Sequence, residues 1–418
     1  MARILHISTR LILGGSQENT VLSCEGQALR GHDVHLAYGP IHGPEGSLFD
    51  RVAGFRTPDD RRITTHELPD LIREIRPFRD ARALAQLRRL IRDLCPDVVH
   101  THSSKAGILG RLAAFRETSD TYRPAIVHTV HGPPFMPVEG SPLRSAKTRL
   151  INECYAIAER HAARRCHLII SVADAMTEQF LARNIGRLSQ YVTVRSGIDF
   201  DPYLHPSSEQ SREAIRSRLG FQPEDIVIGT VARLAEHKGH DDLLDCLPQM
   251  LRANPRIRLL WVGDGYKREQ LLDRARKAGV HFRNANERGD DAVIVLTGLV
   301  PPSEVPGLMR AMDLLAHPSS REGLPRTVPQ ALLSGVVPVA YDIDGTREAC
   351  IDGKTGVLVP HGDRTKLADA LVQLASSPRE RSRLAADGYA FVSSAFSAQR
   401  MVDELEIVYQ RAMNLAKA

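Results

Sequence analysis

Short apolar segments alternate with helical segments along nearly the whole chain, and this alternation restricts the fold more than any other feature. The apolar segments of the first half are residues 3–8, 33–38, 97–102, 125–130, 168–172 and 191–195. Those of the second half are residues 226–231, 257–262, 293–296, 314–317, 337–341 and 356–359. Nearly continuous apolar strands separated by helices are typical of a parallel sheet covered on both faces. The sequence therefore predicts an α/β fold in each half.

A polar stretch at residues 201–212 separates the two halves and is predicted to be a linker, because it contains Pro202 and Pro206. A chain of 418 residues fits two or three domains at roughly 150 residues each. We therefore predict two Rossmann-like domains, residues 1–202 and 203–396, that face each other across a cleft. Apolar residues recur at helical spacing in 397–416. The sequence thus predicts a C-terminal helical tail, residues 397–418, that closes the second domain or packs back on the first.

Composition argues against several classes of protein. The formal net charge is only +5, from 55 basic and 50 acidic residues, whereas nucleic-acid-binding proteins concentrate positive charge much more strongly. The longest unbroken apolar run has five residues. A transmembrane helix needs about 20, and a signal peptide also needs a longer apolar core. Six scattered cysteines without a CxxC pair favour a reducing, cytoplasmic compartment and argue against a structural metal.

In open α/β sheets, ligands bind at the carboxyl ends of the strands. Gly14 and Gly15 follow the first strand and precede a helix. They allow close approach of the backbone to a ligand, and the helix N–H groups favour anions. They do not form the GxGxxG fingerprint of dinucleotide-binding proteins, and a plain tight turn explains them equally well.

Two loops of the second half carry the charged residues expected of an anion site. Arg233 and Lys238 follow strand 226–231, and a planar guanidinium with a compact ammonium suits a diphosphate. A solvated loop is the alternative. Residues 318–327 follow strand 314–317 as a turn into a helix, which offers backbone N–H groups to phosphate oxygens. Glu322 in this turn can accept hydrogen bonds from sugar hydroxyls, or it can simply complement the helix dipole.

Several stretches occur together in a known order. They are GGSQ at 14–17, DVVHTHSSKAG at 97–107, HTVHG at 128–132, SGID at 196–199, GTVARLAEHKG at 229–239, VGDG at 262–265, SREGLPRT at 320–327 and DGTREACIDGKTGVLVPHGD at 344–363. With this ordered set the chain resembles the retaining glycosyltransferases of family 4, which have the GT-B fold. That family includes bacterial polysaccharide and phosphatidylinositol mannosyltransferases.

The resemblance implies roles for individual residues. Arg233 and Lys238 neutralise the leaving diphosphate of a nucleotide-sugar, Glu322 contacts the hydroxyls of the donor sugar, and His131 lies near its reacting end. The implied donor-binding residues are Gly14, Gly15, Gly298, Leu299, Val300, Leu324, Arg326, Thr327 and Gln330. Of these, the loop 298–300 is expected to face the nucleobase, and the backbone near Arg326 and Thr327 is expected to hold the diphosphate.

Gln330 departs from the family pattern, which has a second glutamate at this position, eight residues after Glu322. In the family that glutamate accepts hydrogen bonds from the ribose hydroxyls. A carboxamide offers one acceptor oxygen and an NH₂ donor, without the charge of a carboxylate. We expect weaker donor binding or an altered ribose contact.

The resemblance also implies front-face substitution, because double displacement needs a carboxylate nucleophile and the predicted loops offer no clear candidate. Asp342 and Asp344 form a D-x-D sequence, which is a metal-binding motif of the other glycosyltransferase fold. Here it follows a late strand of the second half, and we interpret it as coincidence. The prediction is an enzyme without cofactor or metal.

Other polar residues follow the first-half strands. His100 and His102 share a face of one strand and His128 lies on the next. They could bind a metal, but the sequence shows no third ligand, and polar lining or strand packing is favoured. Ser103, Ser104 and Lys105 follow strand 97–102 and are candidates for the acceptor side.

Two further segments stand out. Residues 39–70 form a loop rich in glycine and proline, longer than the fold needs. Residues 60–92 are rich in arginine, which would suit anionic lipid headgroups at the inner face of a membrane. A solvated helix face explains the arginines at least as well.

These features together predict transfer of a sugar from a nucleotide-sugar, first of all a UDP-sugar, to a polysaccharide, lipid-linked sugar or glycolipid acceptor. No nucleic-acid partner is expected. One alternative is a nucleotide-sugar 2-epimerase of the same fold, and another is a non-catalytic sugar-nucleotide-binding paralogue. A dinucleotide-dependent oxidoreductase is disfavoured by the missing GxGxxG fingerprint.

Overall fold

The computed structural model describes residues 1–41, 46–132, 135, 142–287, 289 and 292–418, with the side chains of residues 142–145 outside this description. The chain divides into two compact units. The first comprises Met1–Gly197 together with Ala398–Ala418, and the second comprises Ile198–Ser397. Within the described residues, every helix is too short or too polar to cross a lipid bilayer.

The first unit is built on a seven-stranded parallel sheet with the strand order β3-β2-β1-β4-β5-β6-β7. Its elements are β1 (Arg3–Ser8), α1 (Gly15–Leu29), β2 (Asp33–Tyr38), α2 (Phe49–Gly54), β3 (Thr64–Glu67), α3 (Pro77–Leu94), β4 (Val98–His102), α4 (Ser104–Glu117), β5 (Ala125–Val130), α5 (Pro142–Ala163), β6 (Leu168–Ser171), α6 (Asp174–Leu181) and β7 (Tyr191–Thr193). The order reverses between β1 and β4, as in dinucleotide-binding folds.

The second unit repeats this plan with a seven-stranded parallel sheet in the order β10-β11-β9-β8-β12-β13-β14. Its elements are α7 (Asp201–Leu204), α8 (Arg212–Arg218), β8 (Ile226–Val231), α9 (His240–Ala253), β9 (Ile257–Val262), α10 (Arg268–Lys277), β10 (Phe282–Asn284), β11 (Ile294–Gly298), α11 (Val305–Arg310), β12 (Leu314–His317), α12 (Thr327–Leu333), β13 (Val337–Tyr341), α13 (Thr346–Ala349), β14 (Val357–Val359), α14 (Arg364–Ala375) and α15 (Pro378–Ala395). The predicted α/β fold, with a parallel sheet in each half of the chain, is therefore confirmed.

The central strands are buried on both faces, which explains their apolar sequences. Every residue of β4, β5, β12 and β13 is buried. In the second unit, Trp261 of β9 is completely buried and belongs to a core that one face of the sheet forms with the helices packed against it. A parallel strand covered by helices on each side has no polar face, so its sequence is apolar without alternation.

The two strands that the sequence analysis missed are edge strands. β3 has the sequence Thr-Thr-His-Glu and is only half-buried, because it pairs with β2 on one side alone. β10 has three residues and pairs only with β11. An edge strand needs little apolar surface, so neither segment has the apolar signal of the central strands. The interpretation of residues 39–70 as one long loop is wrong in part, because α2 and β3 lie within it; residues 42–45 lie outside the described residues.

The predicted linker and domain boundary are also displaced. The two units divide between Gly197 and Ile198, whereas the predicted boundary at 202/203 falls inside α7. Arg310 of α11 donates hydrogen bonds to the backbone carbonyls of Pro202 and Tyr203, at 2.9 and 2.5 Å. These contacts make α7 part of the second unit, so the proline-rich stretch is ordered by packing rather than extended.

The C-terminal helix α16 (Ala398–Lys417) belongs to the first unit. Its apolar face joins the core of β1, β4, β5 and β6 through Met401, Val402, Leu405, Val408, Tyr409 and Ala412. Gly26 of α1 permits this packing, because a β-carbon there would lie 2.5 Å from the Val402 side chain. Of the two packing arrangements predicted for the tail, the structure therefore shows the one on the first unit.

Candidate active site

Three side chains meet at the carboxyl edge of the second sheet. Lys238 lies in a 3₁₀ turn, Glu236–Lys238, in the loop that follows β8, and His317 is the last residue of the neighbouring strand β12. The Lys238 Nζ lies 2.6 Å from Oε1 of Glu322, and the His317 Nε2 lies 3.2 Å from the same oxygen. We call Lys238, His317 and Glu322 the Lys–His–Glu cluster.

The Lys–His–Glu cluster keeps its carboxylate ionised. Burial by itself raises the pKa of Glu322, but the charge of Lys238 and the hydrogen-bonding contact with His317 outweigh it, and the pKa lies well below its ordinary value of 4.5. The side chains of Lys238 and Glu322 are only 18% and 12% exposed. A buried ion pair of this kind is costly to break by removing one partner, so the cluster holds both loops in place.

Gly239 allows these two loops to approach each other. Its φ of 73° lies in the left-handed region, which favours glycine. A β-carbon there would lie only 2.0 Å from the carbonyl oxygen of Pro318. The backbone N–H of Ser320 also donates to the carbonyl of His237, at 2.9 Å. The glycine after Lys238 is therefore required by a close backbone contact that the sequence alone does not reveal.

The D-x-D residues have local partners. The backbone N–H of Glu322 donates to Oδ2 of Asp344 at 2.9 Å, and Asp342 forms an ion pair with Arg347 at 3.0 Å. Asp344 thus positions the loop that carries Glu322. In the described part of the chain, neither aspartate belongs to a group of three or more side chains close enough to share one metal ion.

Helix α12 adds two of the predicted residues to this region. Thr327 begins the helix, and its hydroxyl lies 3.3 Å from Nδ1 of His317. Gln330 lies within the same helix and is buried. His317 therefore connects Thr327 to Glu322. His317 was not predicted as a site residue, although it ends a strand whose following loop was singled out.

The remaining donor candidates of the second unit lie on the same sheet edge or in the same loop. Gly298 ends β11 with a φ of 72°, and its carbonyl accepts from the N–H of Gly263 at 3.1 Å. Leu299 and Val300 follow it, and Leu299 is half exposed. Arg233, in the loop after β8, is exposed. Leu324 and Arg326, in the loop after β12, are buried.

In the first unit, Gly14 and Gly15 lie at the start of α1 and are both exposed. Gly14 has extended backbone, and its carbonyl accepts from the N–H of Glu18 at 2.9 Å. A β-carbon at Gly14 would meet only the flexible carboxamide of Gln17, at 2.7 Å. The glycine at this position is therefore not required by backbone conformation.

The acceptor-side candidates make contacts within the first unit. Ser103 directly precedes α4, and its hydroxyl lies 2.7 Å from the Thr9 hydroxyl. Lys105 contacts Oδ1 of Asp80 on α3 at 2.6 Å and also the backbone carbonyl of Glu74. Ser104 begins α4. The ammonium of Lys105 is thus held against α3.

A cluster of histidines lies in the first sheet. His100 and His102 of β4 are joined by His6 of the neighbouring strand β1, and all three are buried. A third ligand was not evident in the sequence, because β1 and β4 are far apart in the chain. One ring nitrogen from each of the three lies within 4.8 Å of the others, which is a spacing that could hold a metal ion. His128 bonds instead to the Thr101 hydroxyl, at 2.9 Å.

The histidine rings of this cluster are neutral at physiological pH. Burial lowers the pKa of His6 to about 4, although its hydrogen bond with Gln27 opposes the shift. Burial also lowers the pKa values of His100 and His102 well below the ordinary value, and the neighbouring histidines add to the effect. A neutral imidazole has one donor and one acceptor nitrogen. His102 hydrogen-bonds in turn to the predicted catalytic residue His131, between Nδ1 and Nε2 at 3.0 Å.

Comparison with known proteins gives matches to both halves of the chain. Residues 13–201 match the family described as Glycosyltransferase Family 4, and residues 211–391 match Glycosyl transferases group 1. The chain is 25% identical over 330 residues to the putative glycosyltransferase EpsD of Bacillus subtilis, which covers 79% of this chain and 80% of the relative.

A second relative is the UDP-Gal:alpha-D-GlcNAc-diphosphoundecaprenol alpha-1,3-galactosyltransferase of Escherichia coli. It is 24% identical over 375 residues, which covers 89% of this chain and 87% of the relative. Among solved structures, Anabaena HepE in complex with UDP-glucose matches over 100% of both chains, with a TM-score of 0.76 and 19% sequence identity. The chain therefore belongs to the family 4 glycosyltransferases and has the GT-B fold.

Proposed function

We propose that the protein is a retaining, metal-independent glycosyltransferase that uses a nucleotide-sugar, first of all a UDP-sugar. The Lys–His–Glu cluster at the carboxyl edge of the second sheet carries this proposal, because it combines a cation with an ionised acceptor of hydrogen bonds. The relatives support the choice of donor. The Escherichia coli enzyme is named for UDP-Gal, and HepE was solved with UDP-glucose.

In the proposed reaction, the bond between the anomeric carbon and the diphosphate oxygen breaks, and its electron pair stays with the diphosphate. Lys238 and Arg233 stabilise the negative charge that develops there. The acceptor hydroxyl attacks from the same face, and the leaving phosphate takes its proton. Glu322 accepts hydrogen bonds from the sugar hydroxyls and so orients the ring.

Metal independence is supported by the two cations in the loop that follows β8. Lys238 and Arg233 offer the positive charge that a divalent cation supplies to the leaving group in other enzymes. Asp342 and Asp344, which would be the first choice as ligands, contact Arg347 and a backbone N–H instead. Transfer measured with and without a chelator tests this: loss of activity with the chelator, restored by Mg²⁺ or Mn²⁺, would contradict it.

A thermal-shift screen of UDP-, GDP- and ADP-sugars tests the choice of donor, because a ligand that binds only the native state raises the melting temperature. We expect the largest shift with a UDP-sugar. Incubation with acceptor, followed by NMR of the product, then gives the anomeric configuration. A product of inverted configuration would overturn retention.

The alternatives give different outcomes in the same experiments. An epimerase converts the donor when no acceptor is present. A non-catalytic paralogue binds UDP but neither transfers nor hydrolyses the donor. Transfer that requires an acceptor therefore distinguishes the proposed enzyme from both.

We further propose that the acceptor carries a lipid and that α3 contacts the membrane at its inner face. Ile75, just before α3, and Phe78, in its first turn, are 70% and 88% exposed; Arg76 follows Ile75 directly, and Arg73 lies two residues before it, beyond Glu74. Beside them lies a cavity of about 520 Å³, whose apolar lining includes Ile75, Ile108, Leu109, Leu150, Ile151 and Tyr155. Exposed apolar side chains flanked by arginines suit anionic lipid surfaces. The relative named for a diphosphoundecaprenol acceptor supports this choice.

The arginines of residues 60–92 contribute unequally to this proposed surface. Arg88 and Arg92 contact Glu117, at 2.6 and 2.9 Å, and Arg82 contacts Asp70 at 3.2 Å. These pairs neutralise part of the positive charge that the sequence suggested. Sedimentation with vesicles of anionic and of neutral lipids tests whether the remaining positive charge assists membrane binding. Equal binding to both kinds of vesicle, or none, would contradict the charge-assisted contact.

A further inference from the structure

A continuous path of hydrogen bonds crosses the core of the first unit and ends at His131. Oε1 of Gln27, on α1, lies 2.7 Å from Nε2 of His6. Nδ1 of His6 lies 2.9 Å from Nε2 of His102, and Nδ1 of His102 lies 3.0 Å from Nε2 of His131. We call Gln27, His6, His102 and His131 the histidine relay.

The relay has a direction because each neutral ring has one donor nitrogen and one acceptor nitrogen. The carboxamide oxygen of Gln27 only accepts, so the Nε2 of His6 donates to it. The Nδ1 of His6 then accepts from the Nε2 of His102, and the Nδ1 of His102 accepts from the Nε2 of His131. Reversal of any one bond would set two donors or two acceptors against each other.

The carboxamide of Gln27 also contacts the C-terminal helix. The Nε2 of Gln27 donates to the Tyr409 hydroxyl at 2.8 Å. That hydroxyl in turn lies 2.7 Å from Nδ1 of His100, whose Nε2 lies 2.7 Å from the Thr129 hydroxyl. These groups form a branch that does not lead to His131. Helix α16 thereby contributes to the same buried network.

Burial makes the direction of the relay persistent. Gln27 and His6 are fully buried, and His102 is 1% exposed, so an unmatched donor or acceptor inside the path has little access to water. Unpaired polar groups in such surroundings are costly. Burial also holds the pKa of His6 at about 4 and that of His102 well below its usual range, so neither ring gains a second proton at neutral pH.

We propose that Gln27, His6 and His102 are positioning residues that hold His131 as its Nε2–H tautomer, with Nδ1 as the acceptor nitrogen. The family resemblance implies that His131 lies near the reacting end of the donor sugar, and this part of the inference rests on the proposed function. With its tautomer set, His131 keeps Nδ1 as an acceptor nitrogen. The orientation of the ring is then maintained by a path that begins on α1, more than one hundred residues earlier in the chain.

The relay and a metal site are mutually exclusive uses of the same nitrogens. Within the His6–His100–His102 group, Nδ1 of His6 and Nε2 of His102 lie 2.9 Å apart and share one proton. An ion that took these two lone pairs would break the hydrogen bond between His6 and His102, so the tautomer of His102 would no longer depend on Gln27. Stoichiometric Zn²⁺ or Co²⁺ binding that is lost on His6→Ala would therefore overturn the proposal.

The direct test is ¹⁵N NMR of the full chain with labelled histidine, in which the two ring nitrogens of each tautomer differ in chemical shift. The signal of His131 is assigned by its loss in His131→Asn. We expect the Nε2–H tautomer in the wild-type protein, and a mixture of tautomers in Gln27→Met, which removes the acceptor.

Thr129→Val is the matched control, because it removes an equally buried hydrogen bond from His100, on the branch that does not lead to His131. It should leave both the tautomer and the activity unchanged. Gln27→Met should lower kcat by at least about 10-fold with little change in KM. Melting temperatures monitor the folding of each variant.

Two results would overturn the proposal: an Nδ1–H tautomer in the wild-type protein, or an unchanged tautomer in folded Gln27→Met. The NMR measurement needs no substrate. Absence of sugar transfer with every donor would therefore contradict the proposed function alone, whereas the wrong tautomer would contradict the relay alone.

Discussion

Lys238 and Glu322 contact each other directly, although the family resemblance assigns them to different parts of the donor. Lys238 is expected to face the diphosphate and Glu322 the sugar, and these two groups are adjacent in a nucleotide-sugar. In the proposed reaction, an incoming diphosphate would compete with Glu322 for the same ammonium. The ion pair at 2.6 Å would then couple the binding of phosphate to the positioning of the carboxylate.

We expect Lys238→Ala to lower turnover by about 100- to 1000-fold, because the leaving diphosphate loses a preorganised cation. Lys267→Ala is the matched control, since Lys267 is similarly buried in the same unit and pairs with Asp241 at 2.8 Å. Initial rates of sugar transfer measure the effect, with circular dichroism to monitor folding. Near-normal turnover in folded Lys238→Ala would refute the assignment to the diphosphate.

Gln330 tests the predicted ribose contact. Because a carboxylate accepts from both hydroxyls of a diol with charge assistance, we expect Gln330→Glu to tighten donor binding by several-fold. Calorimetric titration with UDP and with UMP measures this, and both should improve, since the ribose is common to them. Unchanged or weaker binding would show that α12 does not contact the ribose.

At the scale of elements, the loops after β8 and β12 are held together by backbone contacts as well as by side chains. Gly239 lies against the carbonyl of Pro318, and this contact determines how closely the 3₁₀ turn with Lys238 approaches Glu322. A pattern of apolar residues does not contain this information, because the contact joins segments about eighty residues apart.

We expect Gly239→Ala to lower turnover by roughly 100-fold, since a displacement of about 1 Å at a reacting group can cost that much. Gly362→Ala is the control: its φ of 76° matches the 73° of Gly239, but a β-carbon there has no neighbour within 4 Å. In both variants, an alanine in the left-handed backbone conformation costs about 1–2 kcal/mol of stability. Equal rates in the two would show that the contact with Pro318 has no role in activity.

The start of α3 is the second element with a testable role. We expect Phe78→Ser to reduce binding to anionic vesicles by several-fold, because it removes a large apolar side chain that is 88% exposed. Phe115→Ser removes a phenylalanine that is 48% exposed near the end of α4 rather than at the start of α3, and it should have little effect. Co-sedimentation measures both, and an equal loss in the two variants would contradict docking through α3.

At the scale of the whole molecule, the chain ends in the unit in which it begins. Helix α16 covers β1, β4, β5 and β6 with six apolar side chains and supplies Tyr409 to the buried polar network. The first unit is therefore complete only after the second has been synthesised. This arrangement makes the stability of the first unit depend on residues at the far end of the chain.

We expect Val402→Asp to unfold the first unit at lower temperature than the second. The variant buries a carboxylate against Gly26, which costs several kcal/mol. Trp261 is the only tryptophan and lies in the core of the second unit, so its fluorescence reports that unit, whereas far-UV circular dichroism reports both. Ile407→Asp, at a position of α16 that is 70% exposed, is the control and should shift neither. A parallel shift of fluorescence would show that the units unfold together.

By itself, the sequence determined the architecture and the loops of interest. Buried parallel strands need continuous apolar sequence, so the central strands of both sheets were predictable. The carboxyl ends of parallel strands share one edge, so Lys238, Glu322 and Thr327 were expected in one region, and the structure places them there. The edge strands β3 and β10 were missed because their sequences are short or polar. The boundary near Gly197 was missed because the proline-containing stretch 201–212 was interpreted as the linker.

Only the tertiary structure decided which polar residues meet. His317 connects Glu322 to Thr327, His6 joins His100 and His102, and Tyr409 reaches this group from the last helix. Each of these contacts joins residues on different elements, and the pairing depends on sheet order and on the packing of α16. Local patterns of sequence describe strands and turns, whereas the positions of hydrogen-bond partners in a buried network depend on the complete packing of the chain.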